Sequence, residues 1–171
     1  MRRALLSLAT GLALLAGAVQ AAPAPKMAIT SLAQLPTPLP LPYDEAADAD
    51  AQVAAALAKA KASHKLLLID LGGNWCPDCR LLAGLMREPD LARFVDDHYV
   101  VVTVDVGREN KNLQIPRRWG VTKLTGVPSL LIIDRHGKLV DEGHVAALSD
   151  ARHMTPQGLA DWLAQWTNAA S

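Results

Sequence analysis

Residues 65–80 read KLLLIDLGGNWCPDCR. From Lys65 to Leu71 the chain is a short continuous apolar run interrupted only by Asp70. With Gly72 and Gly73 behind it, a run of that length predicts a strand buried on both faces, because a strand with one wet face would alternate. Cys76 and Cys79 follow directly and are the only cysteines in the chain. Residues Cys79 to Met86 predict a helix, so the pair sits on its first turn, facing one side and close enough to alternate between dithiol and disulfide. Three readings of the pair arise: a redox centre, half of a metal site, or a structural staple.

A staple is a poor reason for this spacing, since closing so small a loop removes little entropy from the unfolded chain. Structural zinc takes four protein ligands, yet there is no second cysteine pair, and His64, His98, His136, His144 and His153 are scattered without ligand spacing. Copper(I) accepts two thiolates and is the metal such a pair could hold.

Outward from this stretch, strand and helix patterns alternate. Asp44 to Lys61 is rich in good helix formers, with acids early and lysines late, as the helix dipole favours. Glu88 to Asp97 predicts a second helical piece after the interruption at Pro89. Tyr99 to Val106, YVVVTVDV, is dominated by β-branched residues and predicts a strand. Asn110 to Gly120 reads as a loop passing into a short helix. Ser129 to Asp134 predicts another strand, Arg135 to Lys138 a turn, and Leu139 to Gly143 a returning strand. Thr155-Pro156 offers an N-cap with proline at the first helical position, opening a last helix through Trp166. Trp162 and Trp166, four apart on it, read as core residues. This order predicts an α/β fold: a mixed sheet, mainly parallel, with helices on both faces and an antiparallel C-terminal hairpin.

The N-terminal stretch MRRALLSLATGLALLAGAVQAAPAP has two arginines, an apolar run and small residues before Pro23. Residues 1–22 therefore read as a secretory signal peptide cleaved near Ala21 or Ala22, and export places the chain in a periplasm or outside the cell, where disulfides persist. Residues 23–43 are proline-rich and read as an extended leader, with packing as an ordered strand the alternative. Residues 44–171 form the domain. At 171 residues, half of them hydrophobic, one core is expected. The 17 basic side chains balance the 17 acidic ones, which supplies no field for nucleic acid.

A buried strand, then Trp75-Cys76-Pro77-Asp78-Cys79 at a helix start, another strand, and Gly126-Val127-Pro128 before a strand-turn-strand resemble the thioredoxin superfamily over about Ala46 to Trp166. The residues themselves give the chemistry its direction. Cys76 lies at the helix N-terminus, where unpaired amides and the dipole favour a thiolate, so it is the expected nucleophile. Cys79, one turn in and more buried, is the expected resolving thiol. Pro77 contributes no N–H to the sulfur, and the Asp78 charge opposes ionisation, while Arg80 acts in the other direction. A less stable thiolate disfavours the dithiol and gives a reductant-like potential, nearer thioredoxin at about −270 mV than DsbA at about −120 mV.

The resemblance implies more. Asp70 stands six residues before Cys76, as does the family's proton-relaying aspartate, which implies general acid/base work on Cys79 with a carboxyl raised by burial. The lysine that accompanies this aspartate in thioredoxin would fall within Tyr99 to Val106, where there is none. Gly126-Val127-Pro128 is similar to the family's cis-proline loop, which leaves the Val127 backbone free for an extended substrate. Ser129 replaces the usual threonine, and three extra residues between Trp119-Gly120-Val121 and this loop imply a differently shaped groove. Trp75 is expected to wall the nucleophile. The function implied is a thiol:disulfide oxidoreductase acting on protein disulfides, a monomer with no dissociable cofactor or resident metal, drawing on a membrane electron donor or acceptor. The competing reading is a thioredoxin-fold module that delivers copper(I) or tethers a client without turnover.

Overall fold

The computed structural model describes residues 20–170; the stretch 1–19, which carries most of the expected signal peptide, lies outside them. Helix α1 spans Ala49–Ser63, strand β1 Leu66–Gly72, helix α2 Pro77–Leu85, helix α3 Pro89–His98 and strand β2 Tyr99–Asp105. Helix α4 is the short Gln114–Arg117, followed by strand β3, Ser129–Ile133, and helix α5, Pro156–Ala164.

Helix α1 starts five residues later than its composition predicts because Asp44 and Asp48 divide the work. Asp44 caps a separate turn by accepting from the Ala46 amide at 2.9 Å, and Asp48 is the N-cap, accepting from the Ala51 amide at 3.0 Å. Thr155 caps α5 as expected, with Pro156 at the first helical position.

The sheet has the order β2-β1-β3, and every residue of β1 is buried. Strand β2 runs parallel to β1 with Asp70 opposite Thr103, whereas β3 runs antiparallel with Asp70 opposite Leu130. Alternation of helices and strands predicted a parallel course here. The connection from β2 to β3 instead holds one four-residue helix and stays at the end of the sheet where β1 and β2 finish. It therefore re-enters the sheet beside Leu71, which brings the Val127-Pro128 loop to the cysteine end.

The predicted hairpin is reduced to its first residues. Leu139 forms an isolated bridge with Ile133, and the Val140 amide donates to Ile132. Then the Asp141 side chain takes the place of a main-chain acceptor, its Oδ1 receiving the Ile132 amide at 2.9 Å. Gly143 at φ 83° turns the chain away, so Leu139 to Gly143 is not a strand.

Alternate side chains of β1 feed two cores. Leu67, Ile69 and Leu71 pack with Val53 of α1 and with Val102 and Val104, while Leu66 and Leu68 pack with Leu82, Leu91, Leu159 and Leu163. By the same alternation Asp70 and Gly72 share the second face. Trp162 and Trp166 are half-buried beside that second core rather than inside it, edge-on to each other at 5.7 Å.

The proline-rich segment 23–43 packs on the domain, though not as a strand. Met27 and Leu35 are buried in the second core and Tyr43 in the first. Its main chain is held by side chains of the domain: Gln157 on Pro25 and Met27, Arg80 on Leu39 and Pro40, and Thr103 on Pro42.

Candidate active site

Cys76 is the N-cap of α2, a position whose side chain ordinarily offers oxygen to the amides of the first turn. Here the Cys76 Sγ accepts the Cys79 N–H at 3.2 Å, and its thiol donates to the Val127 carbonyl at 3.5 Å. Both cysteines are free; Cys76 keeps 3% of its surface in contact with solvent and Cys79 none. A hydrogen bond from the Cys79 thiol lowers Cys76 to about 7; burial opposes this, the Cys79 amide adds to it, and the Asp78 charge opposes it. The same hydrogen bond, with burial next, pushes Cys79 well above the ordinary thiol range. One sulfur is thus prepared to attack and the other to hold its proton.

Asp78 and Arg80 do not act as the sequence suggests. Burial pushes the Asp78 carboxyl up, but Arg152 more than offsets it and holds it below the usual carboxylate range. The Arg152 Nε donates to Oδ1 at 2.9 Å and to Oδ2 at 3.0 Å, Nη2 also donates to Oδ2, and the Arg152 amide donates to Oδ1 at 2.9 Å. The charge beside the sulfur is therefore largely compensated. Arg80 is no counter-ion to the thiolate, since its guanidinium is spent on the Leu39 and Pro40 carbonyls at 2.9 and 3.2 Å.

Asp70 is fully buried. Burial raises it to about 7, the Tyr43 hydrogen bond lowers it, and the nearby Cys76 raises it further. The Tyr43 hydroxyl donates to Oδ1 at 2.9 Å, while Oδ2 has no partner. Tyr43 and Cys79 meet over Gly72: a Cβ there would lie 2.3 Å from the Tyr43 Oη and 2.8 Å from the Cys79 Sγ. Only glycine admits both groups.

Trp75 is exposed at 45%, forming an outer wall rather than core. Its Nε1 donates to the Gly107 carbonyl at 2.7 Å, and the Arg108 guanidinium lies 4.7 Å from the ring centroid. The Val127-Pro128 bond is cis, as the resemblance implied. Ser129 is buried and donates to the Gly126 carbonyl at 2.7 Å, fixing the loop from within. A shallow cavity of about 250 Å³ borders the lengthened loop, between Lys123–Thr125 and Val145–Ala146. Among the described residues no group of three or more His, Cys, Asp or Glu side chains could hold a metal ion.

The site thus contains Cys76, Cys79, Asp70, Trp75, Val127 and Pro128 at one end of the sheet, with Pro77 and Asp78 between the sulfurs. Four residues beyond those chosen from the sequence complete it: Tyr43, Asn74, Thr103 and Arg152. Asn74 stands in no motif of the linear chain, and Thr103 is marked there only as part of the predicted strand Tyr99 to Val106. The sequence holds only two tyrosines, and one of them ends the proline-rich segment, which is the single cue that could have marked Tyr43.

The thioredoxin-like family profile matches residues 48–135, from the cap of α1 through β3. Among solved structures, a disulphide isomerase from Xylella fastidiosa Temecula1 is 38% identical with a TM-score of 0.71, covering 75% of this chain and 98% of its own. A protein of unknown function from Pseudomonas aeruginosa is 20% identical with a TM-score of 0.34, covering 73% of this chain and 81% of its own, a likeness too slight to bear on the fold. No curated protein matches the chain. The family match and the disulphide isomerase likeness, together with two free cysteines at a helix start, place the chain in the thioredoxin-like family.

Proposed function

We propose that this protein is a thiol:disulfide oxidoreductase that reduces protein disulfides. The observation that carries this reading is the placing of the Cys76 sulfur at the N-cap of α2, where it accepts the Cys79 N–H at 3.2 Å, beside a fully buried Cys79 thiol that is free to resolve a mixed disulfide. The reducing direction is favoured by Pro77, which offers the Cys76 sulfur no N–H and so leaves its thiolate, and with it the dithiol, less stabilised. The solved relative, a disulphide isomerase by its title, is consistent with thiol–disulfide exchange.

In the first step the Cys76 thiolate attacks one sulfur of a substrate disulfide, forming a mixed disulfide and releasing the other substrate sulfur as a thiolate. Cys79 then gives its proton to Asp70, and its sulfur bonds to Cys76. The bond between Cys76 and the substrate breaks, and the second substrate sulfur leaves as a thiolate. Both leaving thiolates take protons from solvent. The substrate gains two electrons, and Cys76 and Cys79 end as a disulfide. Trp75 and the Val127-Pro128 loop flank the attacking sulfur and would seat an extended substrate.

The signal-like N-terminus supports action in a periplasm or outside the cell, where a membrane electron donor would return the pair to the dithiol. The test is reduction of insulin disulfides together with a redox potential measured against glutathione. Turnover that is lost in Cys76→Ser and a potential below about −200 mV are expected; a potential near −120 mV would overturn the reducing direction. Tight copper(I) binding without any insulin reduction would overturn the enzyme reading.

A further inference from the structure

The proline-rich segment enters the domain at the point where the mechanism needs proton transfer. Arg80 of α2 holds the Leu39 and Pro40 carbonyls. Thr103 of β2, the register partner of Asp70, donates to the Pro42 carbonyl at 2.8 Å. Asn74, two residues before Cys76, closes a two-bond clamp on the Tyr43 main chain: its Nδ2 donates to the Tyr43 carbonyl at 2.8 Å, and its Oδ1 accepts the Tyr43 amide at 3.1 Å. Each of these ties comes from an element that also builds the cysteine site. Their joint effect is to set the Tyr43 phenol over Gly72, against the Asp70 carboxyl and beside the Cys79 sulfur.

We infer that Tyr43 is a positioning residue for the resolving step, by which the segment preceding the domain controls proton transfer from Cys79 to Asp70. This rests on the oxidoreductase reading above. The phenol fixes Asp70 through one oxygen and leaves the other, buried and unpartnered, as the acceptor. It also fills the space over Gly72. A hydroxyl that donates to a carboxylate stabilises the ionised form, so Tyr43 keeps a wholly buried acid ionised, and therefore free to accept a proton, in a larger fraction of molecules near neutrality. The titratable groups facing Asp70 are Tyr43 from the leading segment and Cys76 and Cys79 from α2, whereas β2 and β3 present Thr103 and Leu130.

The test uses the full chain with Tyr43→Phe, which keeps the ring and removes the hydroxyl, and Thr103→Val, which removes the hydrogen bond to the Pro42 carbonyl. Two readouts are taken. A single turnover on a symmetrical aromatic disulfide releases two chromophoric thiolates in succession, the first reporting attack by Cys76 and the second resolution by Cys79. Separately, the Asp70 carboxyl is titrated by carbon NMR, which needs no turnover.

In Tyr43→Phe the Asp70 midpoint should rise by about one pH unit, the first phase should be unchanged, and the second should slow about fivefold at pH 7. Thr103→Val should move both in the same direction by less. An unshifted Asp70 midpoint in Tyr43→Phe, or a second phase with the wild-type pH profile, would overturn the role of Tyr43. A wild-type chain that releases only one thiolate would overturn the oxidoreductase reading instead, and the NMR titration would still decide whether Tyr43 sets Asp70.

Discussion

Arg152 grips Asp78 across 74 positions of sequence, meeting both carboxylate oxygens and adding a main-chain bond at 2.9 Å. The carboxylate is buried and the guanidinium half exposed, so the pair fixes the first turn of α2 to the short turn Ala151–His153. It also decides how strongly a negative charge next to Cys76 is felt.

Removing this cation should therefore retune the sulfur. In Arg152→Ala the uncompensated Asp78 charge disfavours the Cys76 thiolate, and its midpoint should rise from about 7 towards the ordinary thiol value. The dithiol then becomes less favoured and the potential more negative, by about 30 mV for each tenfold change in the equilibrium. The pH dependence of Cys76 alkylation and the glutathione equilibrium measure the two effects. Asp78→Asn should move both in the opposite direction, and unchanged values in both variants would show that the charge does not reach the sulfur.

Stability should fall as pH rises from about 4 to about 7. Asp70, at about 7, and Asp141, at about 6, keep protons in the folded chain that the unfolded chain releases near 3.8, so ionising them costs the native state. Asp70 alone accounts for a loss on the order of 3 kcal/mol across that window. Asp78 has the opposite sign: its depressed carboxyl contributes stability present above about 3.8 and lost as pH falls through its folded value. Urea midpoints of the protein between pH 4 and pH 8 test this, and Asp70→Asn should flatten most of the slope. A variant retaining the full wild-type slope would contradict the assignment.

Gly72→Ala should damage the site more than an alanine in a strand normally would. Its Cβ would meet the Tyr43 Oη at 2.3 Å, the ring Cζ at 2.6 Å and the Cys79 Sγ at 2.8 Å, all atoms of buried side chains. Overpacking of this kind costs about 1–3 kcal/mol. The expected signature is a lower melting temperature together with a Cys79 thiol that alkylates more readily in the native chain.

Asp141→Ala should destabilise the far edge of the sheet. The substitution leaves the buried Ile132 amide without its acceptor, at a cost of about 1–3 kcal/mol. Asp141→Asn retains a side-chain carbonyl and should recover much of that loss. Hydrogen exchange at the Ile132 amide reports it directly: fast exchange in Asp141→Ala and slow exchange in Asp141→Asn are expected.

Much of this molecule was legible in the linear chain because the signals are local. A short apolar run with two glycines behind it points to a strand covered on both faces, and the stretch predicted from Lys65 to Leu71 became the central strand, Leu66–Gly72. Thr155-Pro156 marked its helix start for a reason contained in two residues. The direction of β3 and the loss of the return strand were not legible. The first depends on which end of the sheet a loop leaves, and the second on a carboxylate substituting for a carbonyl at Asp141.

The same division runs through the candidate site. Sequence by itself placed two cysteines on one helical turn and an acid inside a buried strand, because spacing and hydrophobic pattern are properties of neighbours, whereas the proline loop at Gly126-Val127-Pro128 was implied only by the family resemblance. Tertiary structure alone decided what surrounds them. Asp78 is compensated because Arg152 arrives from near the end of the chain, and Asp70 is held because Tyr43 arrives from before the domain. Charge compensation and hydrogen bonding act through space over a few ångströms, whatever the separation along the chain, so no local reading could assign these partners.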